Sequence, residues 1–324
     1  MKRKQESLFY KNRFFCFLLL LSLFFCCSSS AQELYPPEIP NQLWHNQERT
    51  LRYHPEGKDF VITNGNRRFT RALYGTNTAF RVEAGDLPEF AMYMPGMGGN
   101  LKFGLILGEQ SKWLINTQKI TARYHPGSMI YDVEDPILGT GKLHLVILAL
   151  ADAEGLVVKA SFTGIKTACN LIVAFGGASG KKFSRDGDMG PDPESNFYLK
   201  PENCLDNQYQ IKGNTFSLKY GSGTAQQTEE ERYENKQNLN QTKTAAKKSI
   251  ERTLLGVFPH QSAIKLVDAG KQDSPDALFT SVKTAAPAIA GKLTIENQKD
   301  YYFILQNHRY RHQNFVFPRL NDVG

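Results

Sequence analysis

Alternation of apolar and polar residues is the feature that most limits the folds open to this chain. Strand-length blocks such as "KLHLVILALAD", "GLVVKASFTG" and "NLIVAFGG" are rich in β-branched and aromatic residues and are separated by Gly, Pro, Asn or Asp. Such blocks recur along the chain, and no helical pattern alternates with them. This argues against a parallel sheet of βαβ units. The chain is therefore predicted to be all-β, a large antiparallel sandwich.

Two segments depart from this pattern. Residues 225–252, "AQQTEEERYENKQNLNQTKTAAKKSIER", are polar almost throughout, mix both signs of charge and lack an apolar stripe. They are predicted to form one polar insertion, helical or disordered, between two parts of the sandwich. The "GMGG" stretch from Gly96 to Gly99 joins two alternating runs and is predicted to be a flexible hairpin.

The first 31 residues have the order of a secretory signal peptide. A basic stretch, "MKRKQESLFYKNR", is followed by the apolar run "FFCFLLLLSLFF" and then by the small residues "CCSSSAQ". The apolar run is too short to span a bilayer comfortably, so we predict cleavage after Ala31, export to the periplasm or the extracellular space, and no membrane span. Lipid attachment at Cys26 or Cys27 is an alternative, but Phe24 and Phe25 stand where such a site needs a small residue.

The charge balance argues against a nucleic-acid partner. The whole chain has 39 basic and 32 acidic residues, and the predicted signal peptide holds five of the former and one of the latter. The remainder therefore carries 39 − 5 = 34 basic and 32 − 1 = 31 acidic residues, a net charge of +3. No basic run occurs in it, whereas phosphate binding requires clustered basic residues.

Cys169 and Cys204 are the cysteines that remain after the predicted cleavage. An exported location would permit a disulfide between them, but a chain of this length can bury a core without one. Cys169 lies in the apolar run "TACNLIVAF", so burial as a small hydrophobic residue is the favoured interpretation. Whether the two cysteines pair is left open.

The tetrapeptide "RYHP" occurs twice, at residues 52–55 and 123–126. In each copy a strand runs into Pro with Gly at or near the next position, and another strand begins a few residues later, which predicts a hairpin corner. His54 and His125 precede these prolines and are predicted to lie in extended geometry at a strand end. A shared ligand for the two imidazoles would require the corners to meet in space, so the repeat is interpreted as fold geometry.

Two pairs of residues are candidates for binding sites. Asp186 and Asp188 lie in the loop "SRDGDMGPDPESNF", where alternate carboxylates offer oxygen ligands for calcium or the acid and base of a glycosidase. Glycine and proline interrupt the loop, so a solvated turn is favoured, and no cofactor other than calcium at these two residues is suggested. Trp44 and Trp113 are candidates for stacking on sugar rings, although a large β core also uses aromatic residues.

The stretches "NRRFTRALYGTNTAFRVEAGDLPEFA" and "PGMGGNLKFG" carry a resemblance to a known family. The chain resembles the N-terminal region of exported gut-bacterial proteins of domain-of-unknown-function family 4450, which are similar to six-hairpin glycosidase-like proteins. The resemblance implies a galactose-mutarotase-like β-supersandwich, here residues 32–320, that precedes an (α/α)6 barrel carrying the catalytic carboxylates. Residues 321–324 would then begin a linker to a C-terminal (α/α)6 domain that this chain does not contain.

The resemblance also implies a function. The chain would be the non-catalytic N-terminal module of a secreted glycoside hydrolase-like protein of carbohydrate metabolism, a fragment of it that is inactive alone, so no catalytic residue is assigned. Its partners would be carbohydrate or the missing C-terminal helical domain. A stand-alone carbohydrate-binding module is the alternative, and a calcium-stabilised structural domain built around Asp186 and Asp188 is a third interpretation.

Overall fold

The fold is a sandwich of two antiparallel sheets, seen in a computed structural model that describes residues 51–76, 78, 80–94, 97–179, 194–221, 253–282 and 284–307. The strands in chain order are β1 (His54–Glu56), β2 (Asp59–Thr63), β3 (Arg71–Leu73), β4 (Arg81–Ala84), β5 (Glu89–Met94), β6 (Met97–Leu107), β7 (Gln110–Trp113), β8 (Lys119–His125), β9 (Ser128–Glu134), β10 (Lys142–Ala149), β11 (Gly155–Thr163), β12 (Asn170–Ser179), β13 (Gln208–Lys212), β14 (Thr215–Lys219), β15 (Thr253–Val257), β16 (Ala263–Asp268), β17 (Pro287–Thr294) and β18 (Asp300–Asn307). The helices are short: α1 (Pro201–Cys204), α2 (Pro275–Thr280), and single 3₁₀ turns at Leu114–Asn116, Pro136–Leu138 and Glu194–Phe197.

The strands are divided between a ten-stranded and an eight-stranded sheet. The order in the first sheet is β1-β2-β8-β9-β10-β11-β18-β15-β14-β13. The order in the second is β16-β17-β12-β6-β5-β4-β3, with β7 paired to β6. Neighbouring strands are antiparallel wherever they pair. The prediction of an all-β antiparallel sandwich is confirmed.

The alternation of the sequence becomes the two faces of each strand. In β10, Leu143, Leu145 and Ile147 are buried, whereas Lys142 and His144 are only half-buried. Successive side chains of a strand point to opposite faces, so the apolar set lies between the sheets and the polar set faces outward. One hydrophobic core extends along the interior of the sandwich.

The eight-stranded sheet is covered on its outer face, the face directed away from the ten-stranded sheet. A second hydrophobic cluster lies there, and it includes Trp113 of β7, Leu199, Cys204 of α1, Val267 of β16 and Leu278 of α2. Sequence signals explain α2, because Ser274 caps its N-terminus by accepting a hydrogen bond from the N–H of Ala277 at 3.1 Å, and proline occupies the first turn. The covering layer explains why β12 is apolar on both faces.

The two "RYHP" copies lie at hairpins, at the same end of neighbouring strands β2 and β8. The second copy enters a tight turn after His125, as predicted. In the first copy His54 and Pro55 lie within β1, and the turn follows at Gly57, which has a φ of 63°. Proline fits β1 because β1 is an edge strand of its sheet.

The predicted hairpin at Gly96–Gly99 is partly wrong. Gly98 and Gly99 are paired residues of β6 and lie opposite Tyr93 and Met92 of β5. A Cβ atom on Gly99 would lie 2.5 Å from Cε2 of Phe175, so this glycine makes room for an aromatic ring in the core. The predicted polar insertion at residues 225–252 lies outside the described residues.

Cys169 and Cys204 are both buried and both free, so they do not form a disulfide. The Cys169 thiol donates to the carbonyl of Ile106 at 3.4 Å. Cys204 packs near Gly176, where an added Cβ would lie 3.1 Å from the sulfur. Both cysteines act as small hydrophobic residues, which confirms the favoured interpretation for Cys169.

We expect neither Cys169 nor Cys204 to react with iodoacetamide in the folded chain. Burial raises the pKa of Cys169 to about 11 and that of Cys204 to about 12, and the thiolate is the reactive form. Both thiols therefore stay protonated at pH 8, besides being shielded from the reagent. Peptide mapping by mass spectrometry should find label on them only after unfolding in guanidinium, and labelling of either cysteine in buffer alone would contradict the prediction.

Candidate functional site

Charged and polar side chains are buried on the outer face of the eight-stranded sheet. The exposed fraction of the residue is 0% for Glu89, 2% for Asn100 and 6% for Lys102. Glu89 of β5 pairs with Lys102 of β6, and Asn100 lies two residues before Lys102, so all three share one face. Leu101 and Phe103 alternate with them and face the core. Burial of a charge costs free energy unless the charge is paired, so the partners of these groups matter.

Glu89 is held by two neighbours. Its Oε2 lies 3.3 Å from Nη1 of Arg68, and its Oε1 accepts a hydrogen bond from Nδ2 of Asn100 at 2.8 Å. Nδ2 of Asn100 also donates to the backbone carbonyl of Phe197 at 2.8 Å. The buried carboxylate is thereby linked to the chain segment that covers it.

Lys102 lies against an aromatic ring and an amide. Its Nζ lies 4.5 Å from the ring centroid of Trp113 and donates to Oε1 of Gln272 at 3.2 Å. Burial lowers the pKa of Lys102; the negative charge of Glu89 opposes that shift and the positive charge of Arg68 adds to it. Cation–π contact and an amide oxygen thus replace part of the water that an ammonium group loses on burial.

Gln272 joins three parts of the chain at this point. Its side-chain oxygen accepts from Lys102, and its backbone carbonyl accepts from Nε1 of Trp113 at 2.8 Å. Its Nε2 donates to the carbonyl of Leu199 at 2.8 Å. We call the set of Arg68, Glu89, Asn100, Lys102, Trp113 and Gln272 the outer-face cluster. Its hydrogen bonds fasten the covering segments onto the sheet.

The chemistry open to the outer-face cluster is limited by its enclosure. A general acid or base must come within hydrogen-bond distance of a substrate atom or of a bridging water. Glu89 has no exposed surface, and the groups around it belong to the chain itself. In this structure the cluster positions chain segments, and its carboxylate is not presented to a ligand in solvent.

The structure brings one of the four predicted site residues into this cluster. Trp113 is 3% exposed, with Lys102 over its ring, so stacking on a sugar would require the covering residues to move. Trp44, Asp186 and Asp188 lie outside the described residues, and their predicted roles stay predictions. Across the described ranges, no three His, Cys, Asp or Glu side chains come together in an arrangement that could hold a metal ion.

The histidines of the two "RYHP" copies do not converge on a common centre. Nδ1 of His125 lies 2.7 Å from Oδ1 of Asp59, and Arg123 on the same strand forms ion pairs with Asp59 and Glu56. His54 lies on β1, two strands away from β8 in the sheet order. The second copy is therefore tied by charge to the hairpin that contains the first. This agrees with the interpretation of the repeat as fold geometry.

Glu89, Asn100 and Lys102 were not predicted as site residues. The available signal was the alternation in "NLKFG", which places Asn100 and Lys102 on the face opposite Leu101 and Phe103. That pattern by itself assigns them to solvent. They are buried because distant parts of the chain cover them. Phe197 lies 97 residues from Asn100 along the chain, and Gln272 lies 170 residues from Lys102.

None of the helices in the described part of the chain is long and apolar enough to cross a membrane.

The family model described as a domain of unknown function (DUF4450) matches residues 94–323. The matched range includes Asn100, Lys102, Trp113 and Gln272 of the outer-face cluster, whereas Arg68 and Glu89 precede it. No curated protein matches the chain.

Proposed function

The chain belongs to the family described as a domain of unknown function (DUF4450), and we propose that it serves as a non-catalytic β-sandwich module of a secreted glycoside hydrolase-like protein. In this proposal the module has a galactose-mutarotase-like architecture and acts in carbohydrate metabolism. It supports a helical domain that supplies the catalytic carboxylates. Export through the signal peptide ending at Ala31 is part of the proposal.

One observation carries the non-catalytic role: the carboxylate of Glu89 is sealed within the outer-face cluster. Glycoside hydrolysis in most families requires two carboxyl groups that flank the scissile bond and reach it directly. The carboxylate of Glu89 instead contacts Arg68 and Asn100, and the segment that contains Phe197 covers it. Such a cluster suits a rigid scaffold, because the buried carboxylate is paired with a guanidinium group of the chain itself.

The purified chain is expected to show no turnover of aryl glycosides or plant polysaccharides, because the proposal places the acid and the base on the helical domain. Release of aryl alcohol or of reducing ends is the measurement. Turnover that disappears in Asp186→Ala or Asp188→Ala would contradict the proposal, since the sandwich itself would then carry the catalytic site. Turnover that persists in both variants would indicate a contaminating hydrolase, which a mock purification identifies.

A further inference from the structure

An open cleft lies at the ends of β2, β8 and β9, opposite the end that carries the "RYHP" hairpins. Its volume is about 730 Å³, within the range of small-molecule sites. Most of the residues that line the cleft are polar: Thr63, Asn64, Gln118, Lys119, Glu134 and Asp135. The cleft is separate from the outer-face cluster, because these residues belong to the ten-stranded sheet and its connections.

Asn64 is fixed at the edge of the cleft. Its backbone has a φ of 51°, in the left-handed region that few residues other than glycine and asparagine adopt. Its backbone N–H donates to the carbonyl of Ile120 at 2.8 Å, and its Oδ1 accepts from the N–H of Ile120 at 2.9 Å. The first bond fixes the backbone and the second fixes the side chain, and neither uses Nδ2, which is a hydrogen-bond donor.

Asp135 is fixed in the same way from the other side. Its carboxylate accepts from Nζ of Lys112 at 2.9 Å, from the N–H of Gln118 at 2.9 Å and from the N–H of Ile137 at 3.1 Å. The bond to Gln118 sets the start of β8 and places the Gln118 side chain at the cleft. The lining is thus held by strands and by part-buried or buried hydrogen bonds, which is the support that a precise binding site needs.

The charges in the lining are paired within the chain. Nζ of Lys119 lies 3.1 Å from Oε1 of Glu134, and Nζ of Lys142 lies 3.3 Å from the same oxygen. Hydrogen bonds from Lys119 and then Lys142 lower the pKa of Glu134, so its carboxylate is ionised at neutral pH. Asp135 is balanced by Lys112. Two ammonium groups share the Glu134 carboxylate, so the cleft offers donors and an acceptor side by side with a small excess of positive charge.

We propose that this cleft binds a neutral polyhydroxylated ligand of the carbohydrate class through Asn64, Gln118, Lys119 and Glu134. A hydroxyl group both donates and accepts, so it matches a carboxylate acceptor beside ammonium and amide donors. Neutral hydroxyl groups can add hydrogen bonds to these groups and leave every ion pair intact. The choice of carbohydrate among neutral polyols rests on the proposed function of the chain.

Titration of the purified chain with maltotriose, cellotriose and xylotriose, followed by calorimetry, tests the proposal. At least one trisaccharide is expected to bind, and Gln118→Ala and Lys119→Ala should each weaken that binding about ten-fold, the size expected for loss of one hydrogen bond to a polar ligand. Lys159→Ala is the matched control, because Lys159 lies on β11 of the same sheet, paired with Asp300 at 3.9 Å and away from the cleft. Its affinity should equal that of the unchanged chain.

Two outcomes would overturn the cleft as a carbohydrate site. One is the absence of binding by all three trisaccharides at about 10 mM, a concentration that reveals even weak association. The other is binding that Gln118→Ala and Lys119→Ala leave unchanged. Neither outcome bears on the non-catalytic role, which fails only if the chain hydrolyses glycosides, so the two proposals are separated by different measurements.

Discussion

Replacement of Glu89 by alanine is expected to lower the free energy of unfolding by about 3–5 kcal/mol, the range for removal of one partner from a buried ion pair. The variant would leave the Arg68 guanidinium without its carboxylate and Lys102 without its nearest negative charge. It would also remove the acceptor at Oε1 that Asn100 uses. Equilibrium unfolding in guanidinium, monitored by circular dichroism, measures the change.

Glu56→Ala is the matched control for Glu89→Ala. Glu56 pairs with Arg123 at 3.2 Å on the surface, and its side chain is 57% exposed. A pair of that kind contributes about 0–1 kcal/mol because water solvates both charges in either state. The loss in the free energy of unfolding for Glu89→Gln should lie between those for Glu89→Ala and Glu56→Ala, since the amide keeps the shape of the side chain and loses its charge. If Glu89→Ala lowered the free energy of unfolding by as little as Glu56→Ala, the outer-face cluster would not stabilise the fold.

Replacement of Phe303 by alanine is expected to lower the free energy of unfolding by about 3–5 kcal/mol, the range for truncation of a buried phenylalanine in a well-packed core. Phe303 of β18 is fully buried and joins the two sheets. Its ring centroid lies 5.3 Å from that of Phe103 on β6 and 5.4 Å from that of Phe258, both in edge-to-face geometry. The variant therefore loses apolar burial and two aromatic contacts, and it leaves a cavity between the sheets.

Phe60→Ala serves as the comparison for Phe303→Ala, and guanidinium unfolding is again the measurement. Phe60 of β2 is 50% exposed, so its truncation removes far less buried surface, and we expect a change below about 1 kcal/mol. Phe303→Leu should lose about half as much stability as Phe303→Ala, because leucine fills part of the cavity. Equal effects of Phe303→Ala and Phe60→Ala would show that the aromatic contacts between the sheets do not stabilise the fold.

The sequence predicted the sandwich because strand periodicity is a local property. Side chains at positions i and i+2 of a strand share a face whatever the rest of the chain does, so the alternation in β10 can be read from its own eight residues. The hairpin after His125 was predicted for the same reason, since proline and glycine set their own backbone angles. Gly98 and Gly99, which were predicted to be part of the hairpin turn, show the limit. They lie within β6, and Gly99 is required there by the ring of Phe175 on the neighbouring strand.

The tertiary structure alone decided which polar residues are buried. Glu89 and Lys102 are charged residues of strands, and their sequence neighbours hold no sign that they are enclosed. Their environment is made by Arg68, Phe197 and Gln272, which reach the outer face of the sheet from distant parts of the chain. The sequence by itself thus determined the class of fold and the inner faces of the strands. Burial of a polar side chain depends on long-range packing, so the outer-face cluster and the cleft at Asn64 became visible only in the folded chain.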